Sequence, residues 1–305
     1  MRIRPGTPTH LTLWSAVVAT LLSLGACRPT DAEHPRKQLK PTETVRETPR
    51  PGDQKIAMTW DGKKRVYRVH APPGYTPAKK LPLIVAMHPY PSTGEFVSRL
   101  SGLDERADRE NFLVAYPDGL DLAYNALSCC GDEDDVGFIR AMTKRLVDRW
   151  KADPDRVYAT GISNGADMSF KVAVELHETF AAIAPVSGAY SGPDTQDASY
   201  LPRTPVSVIT FIGGRDKLYN TADTAIEAWH ERLSCKPAPA RKLKDQITRT
   251  SAKCRDQSEV VTYRIPQMSH SWPGAEPGDM AAPEAGVNAT DLMLEFFASH
   301  PKQRS

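Results

Sequence analysis

The stretch VYATGISNGADM, residues 157–168, limits what this chain can fold into more than any other part of it. Upstream, RVYATGI (156–162) is rich in β-branched and apolar residues and reads as a short strand. Downstream, NGADMSFKVAVEL (164–176) places Met168, Val172 and Leu176 on one face of a helix. Ser163 stands at the junction, between Gly161 and Gly165. G-x-S-x-G alone is a weak signal, because glycine and serine are common residues. Strand, sharp turn and helix around it are the context of a nucleophile elbow, in which the neighbours must be tiny and the serine hydroxyl is held out at the top of a sheet.

Export is written at the start of the chain. Arginines in MRIRPGTPTH precede the apolar run LTLWSAVVATLLSLGA, which is too short to span a bilayer comfortably and has the flanks of a secretory signal. Leu24, Gly25, Ala26 and Cys27 follow the pattern of a bacterial lipobox. Residues 1–27 therefore read as a signal peptide whose cleavage leaves Cys27 as the lipidated N-terminus, a membrane anchor directed to the outer membrane in a diderm cell. Gly25 is unusual in that pattern, which keeps plain secretion with cleavage near Ala26 as the alternative. Residues 28–52 are rich in proline and charge and almost free of apolar side chains, so they read as a disordered tether. From residue 53 onward there are 31 Lys and Arg against 33 Asp and Glu, a near-neutral balance that argues against a nucleic-acid binder.

Residues 53–305 read as one catalytic domain. QKIAMTW and KRVYRVH alternate in polarity around Asp61-Gly62, the signature of an antiparallel hairpin. LPLIVAMH, FLVAY, RVYATGI, AAIAPVSG, VSVITFIGG and VVTYRIP are apolar runs suited to strands buried on both faces. Helical patterns cover 135–150, 164–176, 221–233 and 289–300. An antiparallel start followed by alternating strands and helices implies a mostly parallel sheet with helices on both faces, the layout of an α/β-hydrolase. The excursions 117–134 and 234–256 are polar and offer no amphipathic lid.

A serine hydroxyl is nearly inert until a histidine takes its proton and a carboxylate orients that histidine. In this layout the acid and then the histidine follow the serine in chain order, each in a loop just after a strand. Asp216 follows VSVITFIGG and His270 follows VVTYRIPQMS. Taken singly, either could be an ordinary surface residue. Order and strand-end placement together point to Ser163, Asp216 and His270 as a catalytic triad.

The motifs DEDDVGFIRAM, RVYATGISNGADMSFKVA, FAAIAPVSGAY, FIGGRDKLYN and HSWPG resemble the bacterial extracellular esterases of the polyhydroxybutyrate depolymerase-like and feruloyl esterase-like type, over roughly residues 55–300. The resemblance implies hydrolysis of carboxylic esters, with a polyester or a phenolic or acyl ester of a polysaccharide as substrate, and Ser163, Asp216 and His270 in the family's three motif positions. There are departures. His88, Pro89, Tyr90 and Pro91 stand where the family has His-Gly and a small residue or cysteine. Proline has no N–H, so the oxyanion hole is assigned to the backbone N–H groups of Asn164 and Tyr90, with His88 shaping that loop. Met268 and Ser269 replace two glycines before His270, and Tyr124 replaces a tryptophan before the CCG stretch. Tyr90, Tyr124 and Trp272 are expected to border the substrate cleft, with His88 as a further substrate contact and with packing beneath the histidine loop as the alternative for Trp272.

Besides Cys27 there are four cysteines, and an exported chain permits disulfides. Cys235 and Cys254 flank a basic excursion with little else to hold it, and a bridge is expected there. For Cys129-Cys130 a vicinal disulfide, free thiols and a metal site all stay open, the last disfavoured by the lack of a second ligand pair. GDEDD (131–135) lacks the spacing of a calcium loop and reads as the solvated start of a helix. No metal and no cofactor are expected. The main reading is an exported serine esterase, and the alternative is a lipid-tethered binding protein on the same fold without turnover.

Overall fold

Asp61 and Gly62 both take positive φ, 48° and 73°, and close a two-residue hairpin between β1 (Gly52–Trp60) and β2 (Lys63–Ala71), as the sequence predicts. The computed structural model describes residues 48–302 of the chain. The signal peptide, Cys27 and the tether up to residue 47 lie outside the described residues.

After the hairpin come β3 (Leu83–Met87), β4 (Leu113–Pro117), β5 (Val157–Ile162), β6 (Ala182–Val186), β7 (Ser207–Gly213), the short β8 (Lys236–Pro237) and β9 (Arg241–Lys242), β10 (Thr248–Lys253) and β11 (Glu259–Ile265). They form one sheet in the order β1-β2-β4-β3-β5-β6-β7-β11-β10-β8, with β9 on β10. Strands β4, β3, β5, β6, β7 and β11 run parallel, while β1, β2 and β10 pair antiparallel. The apolar runs are buried throughout, as strands covered on both faces must be.

Helices α1 (Gly94–Ser101), α2 (Leu103–Glu110) and α6 (Ala289–Ser299) cover one face through Val97, Leu103 and Phe297. Helices α3 (Asp135–Arg149), α4 (Asn164–Glu175) and α5 (Tyr219–Arg232) cover the other through Phe138, Met168 and Trp229. Strand β5 feeds both layers, Val157 and Ala159 to one and Tyr158 and Ile162 to the other. This is the α/β-hydrolase fold. Its parallel strands end together, and their carboxyl ends are where open sheets of this kind bind ligands.

Two regions depart from the sequence expectation. Helices α1 and α2 are absent from it, because Gly102 splits them at φ 60° and α2 buries only Leu103 and Ala107 of a charged octet. The 234–256 excursion is also more ordered than expected. Thr248–Lys253 pairs along six residues with β11, and the Cys235–Cys254 disulfide closes the segment. Its mostly polar sequence, TRTSAK, is half-buried and carries no apolar run, and the short β8 and β9 pair with it on the side away from β11.

Candidate active site

Ser163 sits at φ 57° and ψ −122°, a conformation that costs an L-residue on the order of 1–3 kcal/mol and persists only where the surroundings impose it. The surroundings are explicit. A Cβ on Gly161 would lie 2.4 Å from the Gly165 carbonyl oxygen, and one on Gly165 would lie 2.2 Å from that of Met87. Both glycines are therefore required by the crossing of α4 over β3 and β5. The Ser163 N–H donates to the Val186 carbonyl at 3.1 Å, which ties the turn to β6 and leaves the side chain partly exposed at the carboxyl end of the sheet.

Asp216 and His270 meet at the same end. His270 Nδ1 donates to Asp216 Oδ2 at 2.7 Å, and Asp216 Oδ1 accepts from the Leu218 N–H at 2.8 Å. Burial pushes the Asp216 carboxyl upward, but the hydrogen bonds from His270 and Leu218 and the His270 charge outweigh it, so the pKa falls below the ordinary carboxylate range. Gly213 allows the two loops to nest, since a Cβ there would lie 2.5 Å from the Ser269 carbonyl oxygen. Ser187 Oγ donates to the Ser271 carbonyl at 3.1 Å and joins the histidine loop to the strand end that holds Ser163. Among the described residues Ser163 Oγ and His270 share no hydrogen bond, a looseness common in ligand-free sites.

The elbow helix also holds the loops beside it. Asn164 Oδ1 accepts from the Tyr124 N–H at 2.9 Å, and its Nδ2 donates to the carbonyls of Tyr124 and Cys129 at 3.1 and 3.2 Å. Its backbone N–H is the first of α4 and so has no carbonyl four residues back within the helix. Cys129 and Cys130 form a vicinal disulfide in this loop. Below it, Arg65 and Asp135 make a fully buried ion pair, and Asp135 Oδ2 accepts from the Asn125 N–H at 2.7 Å. Asp135 is thus a buried support of the loop rather than a solvated helix start, while Asp134 does cap the helix through the Gly137 N–H at 2.8 Å.

Asp167, one turn into α4, carries no signal of its role in the sequence. Its Oδ2 accepts from Ser128 Oγ and its Oδ1 from the Ala189 N–H at 2.8 Å, so it clamps the loops on either side of the serine. Burial raises its pKa to about 6, against hydrogen bonds from Ser128 and Ala189 and the His270 charge, all of which lower it. The folded state thus holds this proton more tightly than the unfolded chain does. Its contribution to stability is largest at acid pH and is lost as pH rises toward and through 6. Relative to Asp167→Asn, the wild type is expected to lose up to about 3 kcal/mol between roughly pH 4 and 7 in urea unfolding. Parallel stability curves for the two proteins would rule this out.

Three expected cleft residues lie elsewhere. Trp272 is wholly buried and donates from Nε1 to Thr290 Oγ1 at 3.0 Å, so it packs beneath the histidine loop. Tyr124 is equally buried and donates to the Pro117 carbonyl at 2.6 Å, which fixes its ring inside the protein. The His88 ring, also buried, places Nδ1 2.8 Å from the Pro89 carbonyl and accepts on Nε2 from the Gly119 N–H at 3.0 Å. Burial lowers its pKa and favours the neutral ring. It braces the loop after β3 and does not face substrate. Tyr90 does remain at the surface, 53% exposed. Sequence reasoning missed its companions Leu122 and Leu218, each 46% exposed, although both stand out as apolar residues in loops that follow a strand. These three are the exposed large hydrophobic side chains among the described residues, and Tyr90, Leu122 and Leu218 follow β3, β4 and β7 at the carboxyl end of the sheet.

Residues 65–201 match the family model described as esterase PHB depolymerase. The chain is 29% identical to a putative esterase, NocK, of Nocardia uniformis subsp. tsuyamanensis, over 77% of this chain and 80% of that one. It is 30% identical to feruloyl esterase B of Piromyces equi over 50% of this chain, and to poly(3-hydroxyalkanoate) depolymerase C of Paucimonas lemoignei over 66%. It spans only 30% and 51% of the lengths of those two relatives. Among solved structures, an acetyl xylan esterase from Aspergillus awamori superposes with a TM-score of 0.60 at 17% identity, covering 81% of this chain and 99% of that one. Glycines that the elbow cannot replace, a strained serine between them and a carboxylate-bound histidine across the same sheet end thus fall in a chain that is similar, over residues 65–201, to the esterase PHB depolymerase family.

Proposed function

We propose that this chain is an exported serine hydrolase of carboxylic esters that works through an acyl-enzyme on short hydroxyacyl or aromatic acyl esters. The observation that carries the reading is the meeting of the strained Ser163 turn and the His270–Asp216 pair at one end of the sheet. In this mechanism Ser163 Oγ attacks the ester carbonyl carbon and its proton passes to His270 Nε2, the nitrogen left free by the bond to Asp216. The carbonyl oxygen becomes an oxyanion held by the N–H groups of Asn164 and Tyr90. Gly165 packs against the Met87 and His88 carbonyls, which supports the Tyr90 segment as the second donor. Collapse breaks the ester C–O bond, and His270 returns the proton to the departing alcohol. Water then attacks the acyl-Ser163 carbonyl by the same route and frees the acid.

Tyr90, Leu122 and Leu218 form the apolar rim of this reading, suited to a planar aromatic acid or a short hydroxyalkanoate chain. A polyester, or a phenolic or acyl ester of a polysaccharide, would present such groups. Two disulfides support an oxidising, exported setting, and Cys27 is the proposed lipid anchor. A series of p-nitrophenyl esters tests the substrate class. Acetate and butyrate are expected to be cleaved at least tenfold faster than palmitate. Preference for palmitate with activation at an oil interface would contradict the reading.

A further inference from the structure

Charge is unevenly divided over the folded part of the chain. Residues 235–256 carry seven Lys and Arg against two Asp, net +5, whereas the rest of 53–305 carries 24 against 31, net −7. This segment is the ribbon of β8, β9 and β10 at the sheet edge. Four of its seven cations, Arg241, Lys242, Lys244 and Arg249, lie beside the catalytic end. β10 runs antiparallel to β11, with Thr248 opposite Arg264 and Arg249 opposite Tyr263, so its start lies where β11 leads into the His270 loop. Arg241 and Lys242 pair with that same start. Lys244 follows in the loop whose Asp245 and Ile247 pack 3.0 Å from a Cβ position at Gly286, beyond the histidine loop.

Arg241, Lys242 and Lys244 are exposed, and none of them, nor Arg249, has a carboxylate partner within salt-bridge range among the described residues. Arg264, just across the register, is by contrast neutralised by Asp223 at 2.5 Å. Free like charges crowded on one edge repel one another and raise the local potential, which favours a polyanion. The ribbon exposes no large hydrophobic side chain, since Leu243 is partly buried and Ile247 buried. A membrane-binding surface would carry such anchors among its cations.

We propose that the catalytic end of this ribbon, Arg241, Lys242, Lys244 and Arg249, binds a uronate-bearing polysaccharide and holds it so that esters on the same glycan reach Ser163. The inference rests on the hydrolase reading for its purpose but not for its test, because binding is read apart from turnover. Arg guanidinium groups suit carboxylates in a two-pronged geometry, and Lys adds point charge. Such binding weakens as the Debye length shrinks from about 20 Å near 20 mM salt to about 6 Å near 300 mM.

The test is retention on immobilised polygalacturonate of the wild type and of Arg241→Glu/Lys242→Glu/Lys244→Glu. At about 20 mM NaCl the wild type is expected to be retained and to elute by about 300 mM, and the triple variant is expected in the flow-through. Both should hydrolyse p-nitrophenyl acetate within twofold of each other, which shows that the variant is folded. Wild type in the flow-through, or equal retention of the two proteins, would overturn the proposal. Tighter binding to phosphatidylglycerol vesicles than to polygalacturonate would overturn it in favour of a membrane surface. If the wild type is retained but hydrolyses no ester, the hydrolase reading fails while the binding surface stands.

Discussion

Ser163→Ala is expected to lower kcat by up to about 10⁶-fold, leaving only the residual rate that binding and the oxyanion donors supply. The loss should fall on kcat, because the hydroxyl makes no hydrogen bond in the described structure that would position substrate or fold. Ser163→Gly separates chemistry from strain. It should be as inactive as the alanine variant, yet more stable than it by up to about 1 kcal/mol, because φ 57° with ψ −122° is open to glycine and costly for any residue with a Cβ. Paired urea melts of the two variants decide the point. An alanine variant at least as stable as the glycine variant would mean that the turn is not strained.

The second large effect is expected at Asp216. Asp216→Asn keeps the shape of the loop but can donate toward His270 Nδ1, which favours the tautomer whose proton faces the serine. A loss of about 10⁴-fold in kcat is expected, with KM nearly unchanged. Stability should move with it in a pH-dependent way. The Asp216 pKa is lowered in the fold, so its ionised form stabilises the protein above the ordinary carboxylate range, and that contribution is lost in acid as pH falls through the folded pKa. Asp167 has the opposite sign, having been raised by burial. Two carboxylates near one histidine are thus pushed apart, and a pH series on each Asn variant should slope in opposite directions relative to the wild type.

What the sequence disclosed and what it hid follow from where the constraints lie. The elbow was legible because Gly161, Ser163 and Gly165 answer to backbone geometry that few other residues satisfy. Asp216 and His270 were legible from strand order, and the first hairpin from Asp61-Gly62. Which way a ring points is not a backbone property. Tyr124 and Trp272 stand in loops near the site, but each turns inward to bury its ring and satisfy its polar atom on Pro117 and Thr290. Asp167 looked like an ordinary polar position in a helix, since nothing local reveals that loops far along the chain, at Ser128 and Ala189, close over it. The same holds for Asp135, whose partner Arg65 lies 70 residues away. Strand β10 has no apolar run to announce it, only its pairing with β11 on one side and with the two-residue strands β8 and β9 on the other.

The central claim, that Ser163 is the acylated nucleophile, is tested most directly by reacting the folded protein with a fluorophosphonate and locating the adduct by peptide mass spectrometry. One adduct per chain is expected, on the peptide that contains Ser163, with none in Ser163→Ala and strongly slowed labelling in His270→Ala. Failure of the folded wild type to label, or an adduct that persists in Ser163→Ala, would contradict it.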